Sequence, residues 1–152
     1  MQSFALSLLA DHQFYIQDEA ADGDLSDSWD DAATARLLAI APGTIGIGTV
    51  RNTEVPVTIE IHEQEPAADF AASDQIVEAT LMVASGPLVV AGCPDYLPDA
   101  KRIALAPGVY RVRVSYGGLD TVSEDGLDGN DRYRVQVWPG SASDVRIAKQ
   151  RM

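Results

Sequence analysis

Glu54-Val55-Pro56-Val57-Thr58-Ile59-Glu60-Ile61-His62 decides the fold class. Val55, Val57, Ile59 and Ile61 alternate with Pro56, Thr58, Glu60 and His62, so an extended chain turns its aliphatic groups to one side. All four are β-branched and suit a pleated, half-buried surface. A helix would scatter them around its circumference. The stretch is a strand with one face in a core.

Working outward, the same period of two recurs. Phe4, Leu6 and Leu8 alternate with small residues, and Phe14 and Ile16 follow on a second short strand. Val77, Ala79, Leu81 and Val83 form another, as do Tyr110, Val112, Val114 and Tyr116, and then Tyr133, Val135 and Val137. Pro87 to Ala91 and Arg102 to Ala106 are shorter candidates. About nine strands separated by turn signals predict a mainly β fold, an antiparallel β-sandwich or flattened barrel. One short helix is expected, capped by Ser28 with Asp31 three positions on and ending near Leu37 or Leu38. Trp29 would then pack on a sheet edge.

Two stretches echo each other. Arg36 to Val50 runs through Ala41-Pro42-Gly43, and Arg102 to Val114 through Ala106-Pro107-Gly108. Pro then Gly suits the centre of a type II turn, so each echo is expected to be a hairpin.

The chain has 152 residues, which fits a single domain over 1–152. A domain of this size buries enough surface to fold without disulfide or metal. Cys93 is the only cysteine, which suits a reducing cytosol. The apolar run Phe4 to Ala10 is too short to span a bilayer and has no basic residue before it, so a cytoplasmic protein is expected.

Net charge is −12, and all of it lies in the first half. Residues 1–75 hold 14 acids against Arg36 and Arg51, whereas residues 76–152 hold 9 acids and 9 bases. Such a surface repels nucleic acid and anionic membrane and favours a basic protein partner. Two loops concentrate the acidity. Asp18 to Asp31 includes Asp22, Asp24, Asp27, Asp30 and Asp31, and Gly117 to Asp131 includes Asp120, Glu124, Asp125, Asp128 and Asp131. Neither contains a base. Both are long for strand connections, and long ordered loops often carry function.

Calcium is the first chemistry such loops suggest. An EF-hand frame begun at Asp22 meets Asp27 where Gly is required and Ala33 where Glu is required. A frame begun at Asp18 meets Trp29 at the Glu position. The EF-hand is excluded, and solvated acidic turns are the simpler reading of both loops. Nucleophilic catalysis has less support. His12 and His62 are the only histidines, Cys93 precedes Pro94 without a local base, and no Gly-x-Ser-x-Gly elbow occurs. His12 is expected to be a buried hydrogen-bonding residue, and no cofactor or metal is expected. Arg111, Arg113, Arg132 and Arg134 fall on the polar positions of two strands. Their nearness in sequence to the second acidic loop points to internal salt bridges.

Asp11-His12-Gln13-Phe14, Trp29 followed by Asp31 and Ala33, Gly43, Ile45 and Arg51-Asn52-Thr53 together resemble the competence protein J family. That family includes the inhibitor of the DNA-entry nuclease of bacterial competence. The agreement runs without gaps from Trp29 to Thr53, and later strands match in pattern to about Tyr116. The resemblance implies a small cytoplasmic binding protein that restrains a nuclease. It carries no binding residue onto this chain, whose acidic loops are longer and more charged than the family pattern.

A carboxylate-rich inhibitor can occupy the basic surface that a nuclease uses to attract phosphate. The partner-binding residues expected on this ground are Asp22, Asp24, Asp27, Asp30 and Asp31, then Glu124, Asp125, Asp128 and Asp131. Trp29 is either an aromatic anchor within the first cluster or a core residue. The rival expectation is a β-sandwich module that binds a small ligand or Ca²⁺ through its acidic loops.

Overall fold

A computed structural model describes residues 1–151. Eleven strands and one short α-helix follow in the order β1 (Gln2–Leu9), β2 (Gln13–Asp18), α1 (Asp31–Arg36), β3 (Leu38–Ala41), β4 (Thr44–Gly48), β5 (Glu54–Ile61), β6 (Gln75–Val83), β7 (Leu88–Gly92), β8 (Lys101–Ile103), β9 (Gly108–Gly117), β10 (Arg132–Pro139) and β11 (Arg146–Lys149). They form a six-stranded sheet ordered β1-β5-β10-β9-β6-β11 and a five-stranded sheet ordered β3-β4-β2-β7-β8. Neither sheet closes on itself, so the fold is a sandwich and not a barrel. Every strand pair is antiparallel except β5 with β10, which run parallel.

The period of two sets the core. Register places Phe4, Ile59, Val135, Val114 and Val77 side by side across five strands of the larger sheet. Phe14 and Ile16 of β2 face them from the smaller sheet, with Ile45, Ile47, Leu88 and Val90 alongside. The larger of these side chains each favour the folded state by about 1.5–3 kcal/mol when fully removed from water. Phe14, Tyr133 and Tyr116 meet edge to face at the centre, with ring centroids 6.0 and 5.9 Å apart.

The two Pro-Gly echoes have different fates. Ala41-Pro42-Gly43-Thr44 closes the β3–β4 hairpin, and Gly43 takes the left-handed φ of +64° that a type II turn requires. The second echo is not a hairpin. β8 pairs with β7 in the smaller sheet, whereas β9 lies between β10 and β6 in the larger one. Leu105 to Pro107 therefore cross between the layers, and the Tyr110 hydroxyl donates to Ala106 O (2.6 Å) to fix the corner.

The helix starts later than Ser28. Asp30 is the cap, in extended conformation, with its carboxylate accepting from Ala33 N at 2.8 Å. Ser28 N instead closes a turn to Leu25 O, so its side chain stands before the helix. The helix ends at Leu37, as expected, in the left-handed region. β11 has no counterpart in the sequence reading, because it is a short, largely exposed edge strand with a register irregularity and little alternation.

Candidate partner-binding surface

The outward side chains of β2 are Gln13, Tyr15 and Gln17, and the first acidic loop crosses them. Gly46 of β4 allows a close approach: a Cβ there would lie 2.7 Å from Leu25 Cδ1 and 3.1 Å from Trp29 Cζ2. The two apolar residues of the loop thus lie flat on the sheet. Trp29 Nε1 donates to Gln13 Oε1 (3.1 Å), and Gln17 Nε2 donates to Ala21 O (2.9 Å). Pinned at these points, the loop turns Asp22, Asp24, Asp27, Asp30 and Asp31 to solvent, and all five are exposed. Asp18, at the strand end, is buried; it accepts from Ser85 N, Ser85 Oγ and Gly86 N and belongs to the scaffold. Burial pushes its carboxyl up, but the bonds from Gly86 and Ser85 outweigh that and hold it below its ordinary value.

Trp29 is half-buried and stands between two hollows. It packs on the outer face of the smaller sheet, apart from the core between the two sheets, and keeps part of its surface open. One hollow, about 260 Å³, is lined by His12, Gln13, Thr34, Leu37 and Thr49 besides Trp29. The other, about 280 Å³, lies over Tyr15, Leu25 and Ser26. His12 and Leu37 are the only non-glycine residues in the left-handed region among the described residues, at φ 63° and 61°, and both line the first hollow. This backbone costs about 1 kcal/mol or more per residue. Hydrogen bonds hold it: His12 O accepts from Thr49 N, and Leu37 O accepts from Gly48 N and the Tyr116 hydroxyl. His12 is exposed here, not buried, because the tight turn before β2 lifts its side chain off the sheet.

The second acidic loop begins directly after Tyr116, whose hydroxyl reaches the end of α1. That bond ties the strand before the second loop to Leu37, which lines the first hollow. Glu124, Asp125 and Asp128 are exposed. Asp131 is not. It is 0 % exposed, pairs with Arg51 Nε at 2.9 Å, and accepts from the Tyr133 hydroxyl at 2.6 Å. Asp131 has no surface to offer a partner, and its expected binding role is corrected to a structural one. Loop backbone also fastens to the stretch before β5, with Asn52 N donating to Gly126 O (2.6 Å) and Thr53 Oγ1 to Leu127 O (3.0 Å).

In both loops the carboxylates bond locally. Asp24 Oδ1 accepts from Ser26 Oγ (2.6 Å) and N (2.9 Å), and Asp125 Oδ1 accepts from Ser123 Oγ (2.6 Å) and Leu127 N (3.0 Å). These bonds hold both carboxyls below the usual range. Among the described residues no three His, Cys, Asp or Glu side chains converge as metal ligands do. Burial pushes the Cys93 thiol up, with Asp11 adding to the effect, so it is a poor nucleophile.

Of the four arginines, Arg113 and Arg134 form internal salt bridges, though not to the acidic loop, whereas Arg111 and Arg132 bond only uncharged groups among the described residues. Register aligns Glu60, Gln136, Arg113 and Glu78 across β5, β10, β9 and β6 on the outer face of the larger sheet. Arg113 Nε lies 2.8 Å from Glu78 Oε2, and Arg134 Nε lies 2.6 Å from Glu60 Oε2. His62 Nε2 stands 2.7 Å from Glu60 Oε1, and Arg113 lies over the Trp138 ring at 4.9 Å. Glu65 and Pro66 of the β5–β6 connection bind Arg113 from above. This buried row went unread in the sequence. Its signal was the charged and amide residues on the outward parity of four strands.

No family model matches the chain, and no curated protein matches it significantly in sequence. Solved structures do match in fold. ComJ of Bacillus subtilis, inhibitor of the DNA-degrading activity of NucA, superposes with a TM-score of 0.65 at 19% identity, covering 92% of this chain and 96% of that one. The product of crocagin biosynthetic gene J superposes with a TM-score of 0.62 at 16% identity, covering 93% of this chain and 100% of that one. This chain has the two-sheet fold of ComJ, as the sequence resemblance implied.

Proposed function

We propose that the protein inhibits a basic partner enzyme, a nuclease, and does no chemistry of its own. One observation carries the reading: five exposed carboxylates frame a half-buried tryptophan that stands between two hollows. Lysine and arginine side chains of a phosphate-attracting surface would meet Asp22, Asp24, Asp27, Asp30 and Asp31, while Trp29 anchors the contact. Glu124, Asp125 and Asp128, exposed on the second loop, are the second set of candidate contacts. This assignment gives the protein no direct role in binding nucleic acid or membrane, and it places it in the cytoplasm.

The likeness to ComJ supports the partner class. The other fold neighbour is named for crocagin biosynthesis, so the fold alone serves more than one role. The acidic face is what selects inhibition. Calcium binding through the loops is the weaker reading, because Asp24 and Asp125 are engaged in their own turns and no ligand set converges among the described residues.

The test is surface plasmon resonance against the nuclease recovered with the protein, together with a DNA-degradation assay. Association should slow steeply as salt rises, since exposed charges are screened over about 10 Å at 0.1 M salt. Trp29→Ala should speed dissociation. Association indifferent to salt, or DNA degradation unchanged by excess protein, would overturn the assignment.

A further inference from the structure

A further hollow lies on the opposite layer, on the outer face of the larger sheet, at the base of the second acidic loop. Its floor is two successive cross-strand rows. In one, Arg134 of β10 stands opposite both Thr58 of β5 and Ser115 of β9; in the next, Arg132 stands opposite Gly117. Asp69, Ala72 and Ser73 of the β5–β6 connection close the top, leaving a cavity of about 220 Å³.

Ser73 and Ser115, 7% and 8% exposed, line the cavity together with Thr58. None of the three hydroxyls is among the sealed, unpartnered polar atoms of the described residues, so each is open to whatever fills the cavity. The guanidinium of Arg134 is balanced by Glu60, whereas the exposed Arg132 has no carboxylate within salt-bridge distance among the described residues and donates to Ala72 O (2.7 Å). Its position is built in. A Cβ at Gly117 would lie 2.6 Å from Arg132 Cζ, so the missing side chain lets the guanidinium lie flat against β9 at the cavity edge.

We propose that this cavity binds the carboxylate of a small organic acid that carries a hydrogen-bond donor beside it, such as a hydroxy acid. The planar fork of Arg132 matches a carboxylate. The Ser115, Ser73 and Thr58 hydroxyls can donate to its oxygens. The ligand's own donor meets Asp69, an exposed carboxylate at the rim whose Oδ1 already accepts from Ala72 N. A phosphate dianion would leave a charge uncompensated beside Asp69, in a protein of net charge −12. The site is independent of the inhibitory surface, because it shares no residue with it.

Amide NMR titration with glycolate, acetate and inorganic phosphate tests the assignment. Saturable shifts are expected at Ser73, Ser115, Gly117 and Arg132, with glycolate tighter than acetate and phosphate weakest. Arg132→Gln should weaken glycolate about tenfold, equivalent to about 1.4 kcal/mol. Gly117→Ala should weaken it too, by displacing a guanidinium that is still present. Both variants are checked for cooperative unfolding, and Thr58→Val, at the half-buried edge, serves if either fails to fold. Non-saturating shifts, tighter binding of phosphate, or glycolate affinity unchanged in the folded variants would overturn the proposal.

Discussion

The two acidic loops carry similar runs of carboxylates without a base between them, and the fold uses them differently. The first lies across a sheet on Leu25 and Trp29, so that beyond the buried Asp18 its acids from Asp22 to Asp31 stay exposed and bond only within their own turns and helix cap. The second ends by plunging into the core, so its last acid, Asp131, becomes the buried partner of Arg51 and Tyr133. A run of negative charge is therefore not one kind of object. What a carboxylate does is set by what stands opposite it when the chain is packed.

The sharpest way to break this contrast is Asp131→Ala. It leaves Arg51 without its partner and the Tyr133 hydroxyl without an acceptor, and should cost about 3 kcal/mol or more in a urea melt. A loss below about 0.5 kcal/mol would place Asp131 with the surface acids after all.

Asp30→Ala should come next. The side chain caps α1 through Ala33 N, and losing such a cap costs about 1 kcal/mol. Thermal unfolding of Asp30→Ala beside Asp30→Asn, which keeps the capping oxygen, separates the cap from the charge. Equal destabilisation by both would mean that charge and not capping is at work.

Paired triple variants sharpen the functional half of the comparison. Asp22, Asp24 and Asp27 changed together to Asn should alter stability by no more than about 0.5 kcal/mol, as exposed loop changes do. The same variant should slow association with the nuclease and flatten its salt dependence. Glu124, Asp125 and Asp128 changed to their amides should give the same pattern, more weakly. If the second triple dominates, the docking surface centres on the other loop.

The smallest expected effect is a titration. Asp24 and Asp125 are held below the ordinary carboxylate range mainly by the Ser26 and Ser123 hydroxyls. A carboxyl depressed in the folded state keeps its charge until the pH falls below that ordinary range. Ser26→Ala and Ser123→Ala should move the respective carbon-detected NMR titrations back up. A shift in one loop only would show that the turns are not equivalent devices.

Much of the architecture was legible in the sequence because alternation is a local property. In a strand, successive side chains must point to opposite faces, so Val55 to Ile61 or Tyr110 to Tyr116 reveal a core side wherever the strand ends up. The candidate surface was half legible on the same terms: five of the acids in the first loop are where an unpaired, turn-rich segment would leave them. The Glu60–Gln136–Arg113–Glu78 row was not, since it depends on the register of four strands distant in sequence.

By itself, then, the sequence determined most of the strands, which side of each of those is apolar, and that the negative charge lies in the first half. Only the tertiary structure decided that Pro42-Gly43 turns a hairpin while Pro107-Gly108 changes layer, that Asp131 goes inside, and that Arg132 shares a cavity with Thr58, Ser73 and Ser115. Local geometry is fixed by the pleat, whatever the neighbours. The choice of ladder partner depends on the burial summed over the whole sandwich, so no stretch carries it alone.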